Sequence, residues 1–401
     1  SGILAVGFSF VSPGLAKAPA LFCSLIMELY ERLGSFSLRL PGAVFHCGKP
    51  ETWQLVLYYL CLGAFLLWRF CVRELRKKRT ARAAALGEEE EEEEEKRPEP
   101  NLRKKRILSA AGLLLLSLLL SVRFSRGFQF TMLDVGQGDG LFLRTAAGTA
   151  VLVDGGSTSV SKAGTYRILP FLKAEGTGKL DYVIATHMDE DHISGIREIL
   201  EQSMRPGSLK VKTHLLSEHA LREEKGQELY RLACSAGTEV QTIQRGTVLR
   251  DASAELQCLY PEKGEEYKDT NGSSVVLRLV YGEFSMLLTG DLDSVGEHRI
   301  LENGEITDCQ VLKAGHHGSG TSTSEEWLAA ASPKLTLISC GADNSYGHPH
   351  QETLERLARA GSEILITKDW GALTVRSNGK SFHAEAFCPL TRCTAQSAVP
   401  R

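Results

Sequence analysis

Thr186-His-Met-Asp-Glu-Asp-His192, running on into Ile193-Ser-Gly195, is the stretch that decides how this chain is to be read. The apolar run Tyr182-Val-Ile-Ala-Thr186 leads straight into it, so His187, Asp189, Asp191 and His192 share one turn at the end of a predicted strand. Imidazole and carboxylate groups are costly to bury without partners, and a divalent cation removes that cost. The spacing lets the first and third residues of the turn hold one ion, and the fifth and sixth a second. A solvated polar turn with no chemistry is the alternative, and the sequence on either side argues against it.

Upstream, Phe128–Leu133 alternates as a strand and enters the Gly-rich turn Asp134-Val-Gly-Gln-Gly-Asp139, then Leu141–Arg144. Ala150–Val153 is a further strand, ending in Asp154-Gly155-Gly156. Downstream, Ile193–Gln202 has helical spacing, and Ser274–Val280 with Phe284–Leu288 form a hairpin ending in Thr289-Gly290-Asp291. Gln310–Ala314 runs into Gly315-His316-His317-Gly318, and Ser322-Thr-Ser-Glu325 opens the next helix as a capping box. Leu335–Cys340 precedes Gly347-His348-Pro349-His350, and Leu365–Thr367 and Ala372–Val375 follow, with a tight turn at Asn378-Gly379. Asp154, His187, Asp291 and His317 thus all stand just past the end of an apolar strand. Loops on one edge of a layered α/β fold converge on a single site, so these residues are read together.

The 401 residues allow two or more domains, and a net charge of −3 excludes a strongly basic nucleic-acid coat without excluding a local basic groove. The chain opens on Ser1 inside an apolar stretch, which suggests a fragment of a longer protein. Trp53–Val72 carries one charge, Arg69, and is long enough to span a bilayer, with Trp53, Tyr58 and Trp68 suited to the interfaces. Ile107–Val122 is a shorter second span, and Gly2–Tyr30 is apolar but broken by Pro13, Gly14 and Lys17, as a broken, re-entrant or interfacial segment. The loop 73–106 carries basic flanks around the acidic run Glu88–Glu95, and such charge blocks are expected to be disordered and solvated. Its Lys and Arg residues place it on the cytoplasmic side, and the globule beyond Gly127 outside the membrane. The expected organisation is a membrane segment over 1–125, a globular domain over 126–385 and a tail over 386–401. No C-x-x-C pair occurs among ten cysteines; Cys388 and Cys393 are either a local disulfide or free thiols in the tail.

The blocks LDVGQGDG (133–140), VDGG (153–156), THMDEDHISG (186–195), LLTGDLD (287–293), LKAGHHGSGTSTS (312–324) and NSYGHPH (344–350) resemble the metallo-β-lactamase superfamily. They are most similar to the C-terminal domain of the ComEC family, the DNA-uptake channel of natural competence, and the first 125 residues look like the last membrane helices of that family's competence region. The resemblance implies an αββα sandwich preceded by transmembrane helices, with a two-metal hydrolase site on one edge. It implies metal ligands at His187, Asp189, Asp191, His192, Asp291 and His317, with Asp291 bridging. It implies catalytic roles for Asp191, for His316 at the phosphate or as proton donor, and for His348 as another proton donor; the order of His316 and His317 stays open. Asp139 and Asp154 are expected to hold the ligand loops. Asn271 and Ser274 stand where the superfamily's third histidine would be, and His350 either serves substrate or packs in its loop. Asp189 replaces a histidine too, so the first metal position is oxygen-rich, which favours Mn²⁺ with Zn²⁺ as competitor.

The implied activity is a membrane-tethered, extracellular metal-dependent phosphodiesterase or nuclease acting on DNA, preferably single-stranded, during uptake. Its expected partners are the membrane, the remainder of the channel and other competence components. Two other readings compete. One is a different hydrolase of the superfamily, such as a phosphorylcholine esterase or thioesterase; the other is a non-catalytic DNA-binding module, against which an intact ligand set argues. A basic track for DNA has Arg144, Lys162, Arg167, Lys173, Lys313 and Lys368 as candidates, with surface solvation the simpler role for most of them.

Overall fold

In a computed structural model, residues 2–40, 43–86, 102–122, 127–267 and 269–387 are described. The acidic run Glu88–Glu95 and the pair Cys388/Cys393 lie outside them. The chain divides into two compact units, one of residues 1–45, 125–172 and 177–401, the other of 46–124 and 173–176.

Fifteen strands build the first unit: β1 (Phe128–Met132), β2 (Leu141–Arg144), β3 (Ala150–Val153), β4 (Lys179–Ile184), β5 (Lys210–Leu216), β6 (Glu239–Thr242), β7 (Val248–Arg250), β8 (Glu255–Tyr260), β9 (Val276–Tyr281), β10 (Phe284–Leu288), β11 (Val311–Lys313), β12 (Leu335–Ile338), β13 (Glu363–Ile366), β14 (Leu373–Ser377) and β15 (Phe382–Ala386). They form an eight-stranded sheet in the order β15-β14-β1-β2-β3-β4-β5-β6 and a seven-stranded sheet in the order β13-β12-β11-β10-β9-β8-β7. Residues of alternating parity fill the layer between the sheets. Phe128, Phe130 and Met132 of β1, Leu141 and Leu143 of β2, and Val151 and Val153 of β3 meet Phe284, Met286 and Leu288 of β10 and Val311 of β11 in one buried cluster. On the outer faces, Phe142, Leu152 and Val183 pack with Ile193, Ile196 and Leu200 of the helix Glu190–Ser203. Leu287 and Leu312 pack with Ile300, Trp327 and Leu357 of three further helices. The result is the αββα sandwich of a metallo-β-lactamase fold.

Strands β3 to β6 run parallel, as do β10 to β13, so the carboxyl ends of several central strands open on loops at one edge. Strands β5 to β8 and β15 carry no expectation from the sequence. The helix over 325–331 is capped by Ser324, whose hydroxyl accepts from Trp327 N, and not by Ser322 as the capping-box pattern suggests. Ser322 is instead buried in the preceding turn.

Strand β5 also places His214 where no solvent reaches it. Its Nδ1–H donates to Val183 O at 3.0 Å, and burial pushes its pKa down to about 4. The unfolded chain binds this proton near pH 6.5, whereas the folded chain does not until about pH 4. Stability is therefore full above pH 6.5 and falls as the pH drops toward 4, by about 3 kcal/mol from this group. His214→Gln should flatten that part of the profile in thermal unfolding of the detergent-solubilised chain; a profile identical to wild type would count against it.

In the other unit, the helix Thr52–Leu86 contains 24 residues, Thr52–Leu75, with mean hydropathy 2.0, long and apolar enough to cross a membrane. The helix does not stop at the basic stretch. Arg73–Leu86 is helical, contrary to the expected disordered loop, because Arg, Lys, Ala and Leu are strong helix formers and Lys77 pairs with Glu74 at 2.9 Å one turn back. The second expected span, 107–122, is helical only to Leu119. There the Gln54 amide donates to Leu119 O and Val122 O at 2.7 and 2.9 Å, closing the helix end. Its apolar part, Ile107–Leu119, is shorter than a bilayer crossing, so one helix among the described residues meets that criterion. The apolar N-terminal stretch, which belongs to the first unit, is two helices, Gly2–Ser9 and Pro13–Leu38, broken at Ser12, which caps the second.

Candidate metal centre

At the edge where β3, β4, β10, β11 and β12 end, the predicted residues come together. The Nε2 atoms of four imidazoles face one oxygen: Asp291 Oδ2 lies 3.2 Å from His192, 3.4 Å from His317, 3.7 Å from His316 and 4.0 Å from His187. Asp189 Oδ2 is 3.7 Å from His187 Nε2, and Asp191 Oδ2 is 3.4 Å from His317 Nε2. Two groups follow, His187/His192/Asp291 and Asp191/His192/His317, each with its ligand atoms within 4.8 Å of one another.

Hydrogen bonding on the far side of each ring fixes which nitrogen is free. Asp154 is an acceptor only; it takes Thr186 N, the Thr186 hydroxyl and His192 Nδ1–H, each at 2.8 Å. The Thr186 hydroxyl proton being used there, His187 Nδ1 must donate to Thr186 Oγ1 at 3.0 Å. His317 Nδ1 likewise donates to Ser339 O at 2.9 Å. All three rings therefore turn an unprotonated or exchangeable Nε2 toward the centre, where these buried atoms and Asp291 Oδ1 have no hydrogen-bond partner. Imidazole lone pairs and carboxylates converging without partners are a donor set that fits divalent cations.

The electrostatics agree. Burial alone would lower the His192 and His317 pKa values, yet Asp291, with Asp154 and Asp139, raises both, so the pocket draws a positive charge onto these rings. Burial opposes ionisation of Asp191 as well, but His317 and His192 bring its pKa down to about 2. For Asp291, burial is again outweighed by His192, His317 and Lys313, which keep it ionised.

Backbone conformation is spent on this arrangement. His316 and His317 both sit in the left-handed region, at φ 48° and 55°, as does Asp154 at 57°. Such conformations are costly for non-glycine residues and concentrate at functional sites. Gly156 lets its loop touch the ligand turn, since a Cβ there would lie 2.4 Å from Glu190 O and His192 N.

The remaining candidates lie around the cluster. The Ser274 hydroxyl accepts from Asp291 N at 3.2 Å and is 3.4 Å from His187 Nδ1. Asn271 opens the short turn Asn271–Ser273, with its Oδ1 buried and unpartnered. His316 is at the rim, its side chain 28% exposed. His348 is buried beside it, ring centres 5.5 Å apart, and burial together with the neighbouring imidazoles holds its pKa down to about 4. His350 faces away from the cluster: its Nδ1 accepts from Gly320 N at 2.9 Å, so its Nε2–H donates to Tyr346 O. Lys313, a candidate for a surface DNA track, is fully buried inside the site, because it shares the inward parity of Val311 on β11. Sequence reasoning missed this, along with Thr186 and Ser339. A lysine closing a short strand of otherwise buried residues was the available signal.

Residues 133–342 match the description of the metallo-beta-lactamase superfamily, and this chain belongs to it. That superfamily's fold is one of metal-dependent hydrolases. Within it, the chain is similar to ComE operon protein 3 of Bacillus subtilis, 33% identical over 258 residues that make up 61% of this chain and 32% of that protein. It is also similar to Competence protein ComA of Neisseria gonorrhoeae, 32% identical over 244 residues, 61% of this chain and 31% of that protein. The competence-protein resemblance of the motif blocks is borne out in these matches, and the chain spans about a third of the length of these relatives. Among solved structures, the metallo-beta-lactamase fold protein YhfI from Bacillus subtilis aligns at TM-score 0.42 and 14% identity, covering 59% of this chain and 96% of that one.

Proposed function

We propose that this chain is a membrane-tethered metal-dependent phosphodiesterase that cleaves DNA, single strands preferred, outside the membrane during uptake. The observation that carries the reading is the convergence of three buried imidazole Nε2 atoms and the carboxylates of Asp189, Asp191 and Asp291 on one edge. His187, Asp189 and Asp291 would hold one divalent cation, and Asp191, His192, His317 and Asp291 the other. Mn²⁺ suits this oxygen-rich set better than Zn²⁺, and when bound such ions polarise a phosphoryl oxygen and acidify water.

The chain's own residues supply the rest. Asp191, ionised and partly exposed, orients the attacking water. His316 at the rim reaches a bound phosphate and gives the leaving oxygen its proton. His348, held neutral, serves that phosphate as a hydrogen-bond donor without added charge. Asp139, Asp154 and Ser274 hold the ligand-bearing loops, Asn271 lines the first metal position, and His350 braces the loop that carries His348. Residues 1–125 form the membrane segment, with the charged stretch inside; the chain crosses at Thr52–Leu75 and, through a locally thinned bilayer, again at the short apolar helix Ile107–Leu119. Residues 126–385 form the hydrolase domain and 386–401 the tail. The remainder of a channel and other competence components are its partners, a reading supported by the similarity to competence proteins.

The test uses the full chain in detergent with labelled single- and double-stranded DNA. Cleavage is expected with Mn²⁺, to be lost in EDTA, and to drop by at least about 10³-fold in Asp191→Ala. Protein that holds two metals per chain and leaves DNA intact would shift the assignment to another ester substrate.

A further inference from the structure

Lys313 is a buried charge beside the site that this hydrolytic reading leaves unused. It closes β11 on the inward face, and its side chain has no solvent exposure. Its Nζ lies 2.5 Å from Asp139 Oδ2, donates to Gly290 O at 2.8 Å, and stands 3.6 Å from Asp291 Oδ1. The strand end is pinned on both sides: the Thr289 hydroxyl donates to Lys313 O at 2.8 Å, and Ala314 N donates to Leu337 O at 2.9 Å. The ammonium therefore faces one oxygen of Asp291, while the other faces the four imidazoles. Charge points the same way. Asp139, Asp154 and Asp291 bring three buried carboxylates to one small region, and apart from the Lys313 ammonium neither oxygen of Asp139 has a hydrogen-bond partner. A buried uncompensated charge is strongly unfavourable, and Lys313 supplies the missing positive one.

We propose that Lys313 is a positioning residue of the metal centre: a fixed internal cation that ties Asp139 to the outer oxygen of Asp291 and so presents the inner oxygen to the imidazoles and their metals. The inference rests on the metal-centre reading. Any lysine aimed from this strand end would have to be buried, since Val311 and Lys313 share the inter-sheet face, so its place is set by the fold and not by chance exposure.

Mn²⁺ binding by the full chain in detergent, followed by the paramagnetic resonance of free Mn²⁺, tests it without recourse to activity. Wild type should bind two Mn²⁺. Lys313→Met, which keeps the length and removes the charge, should bind about 10–100-fold more weakly, the usual cost of losing a residue that orients a ligand. Lys313→Gln keeps an N–H donor without the charge and should fall between the two. Lys313→Met with wild-type affinity and only a lower melting temperature would reduce the residue to packing and overturn the proposal. So would Lys313→Gln matching wild type, which also decides the matter if the methionine variant does not fold. Wild-type protein that binds no Mn²⁺ would instead overturn the metal centre itself, and this inference with it.

Discussion

Asp291→Ala is expected to empty the site of cations and to lower phosphodiester hydrolysis by at least about three orders of magnitude, equivalent to about 4 kcal/mol of transition-state stabilisation. The reason is geometric. One carboxylate oxygen stands within 4.0 Å of all four imidazole Nε2 atoms, which makes Asp291 the carboxylate placed to serve both proposed metal positions. Removing it also leaves Lys313 facing Asp139 alone, and leaves His192 without the anion that most favours its charged form. Metal content per chain and the initial rate on labelled DNA check the two halves of the expectation. Retention of two tightly bound ions in Asp291→Ala would show that the centre is not built around this residue.

Asp154→Ala should act differently, on the scaffold first. Asp154 touches none of the free Nε2 atoms; it accepts three hydrogen bonds at 2.8 Å from Thr186 and His192. Alanine leaves a buried amide, a hydroxyl and an imidazole without their acceptor, at a cost of about 3–5 kcal/mol. Metal affinity should fall about 10–100-fold as His192 loses its fixed tautomer. Asp154→Asn separates the effects. The amide fills the space but cannot accept all three bonds, so thermal stability should recover in part while metal affinity remains low. Equal recovery of both would mean that Asp154 contributes bulk and not hydrogen bonding.

The residues that carry polarity past the end of an apolar strand were legible, because that pattern has few structural explanations. His187, Asp191, His192, Asp291 and His317 were all found this way and lie together. Asp154 was found by the same rule, although its place is behind His192 and not at the centre. Lys313 was misplaced because lysines are mostly exposed, and its anionic partner Asp139 lies 174 positions earlier in the chain. Composition suggested disorder for Arg73–Leu86 because it counts charge and not helix propensity; the helix that begins in the apolar segment simply carries on. The short strands β6 and β7, mostly exposed and mixed in character, gave no period-2 signal to read.

The centre joins chain segments that are far apart in order of synthesis. Asp139 and Asp154 come early, the 187–192 turn follows, and Asp291, Lys313 and His317 arrive about a hundred residues later or more. Ser339, which accepts from His317, also donates its hydroxyl to Gly138 O, so the first loop is locked by one of the last strands. Long-range closures of this kind come late in folding. A nascent chain therefore has no partly assembled centre: until about residue 340 has been made and docked, the early residues of the site have nothing to close on, and the cluster forms in a single step when the domain is complete.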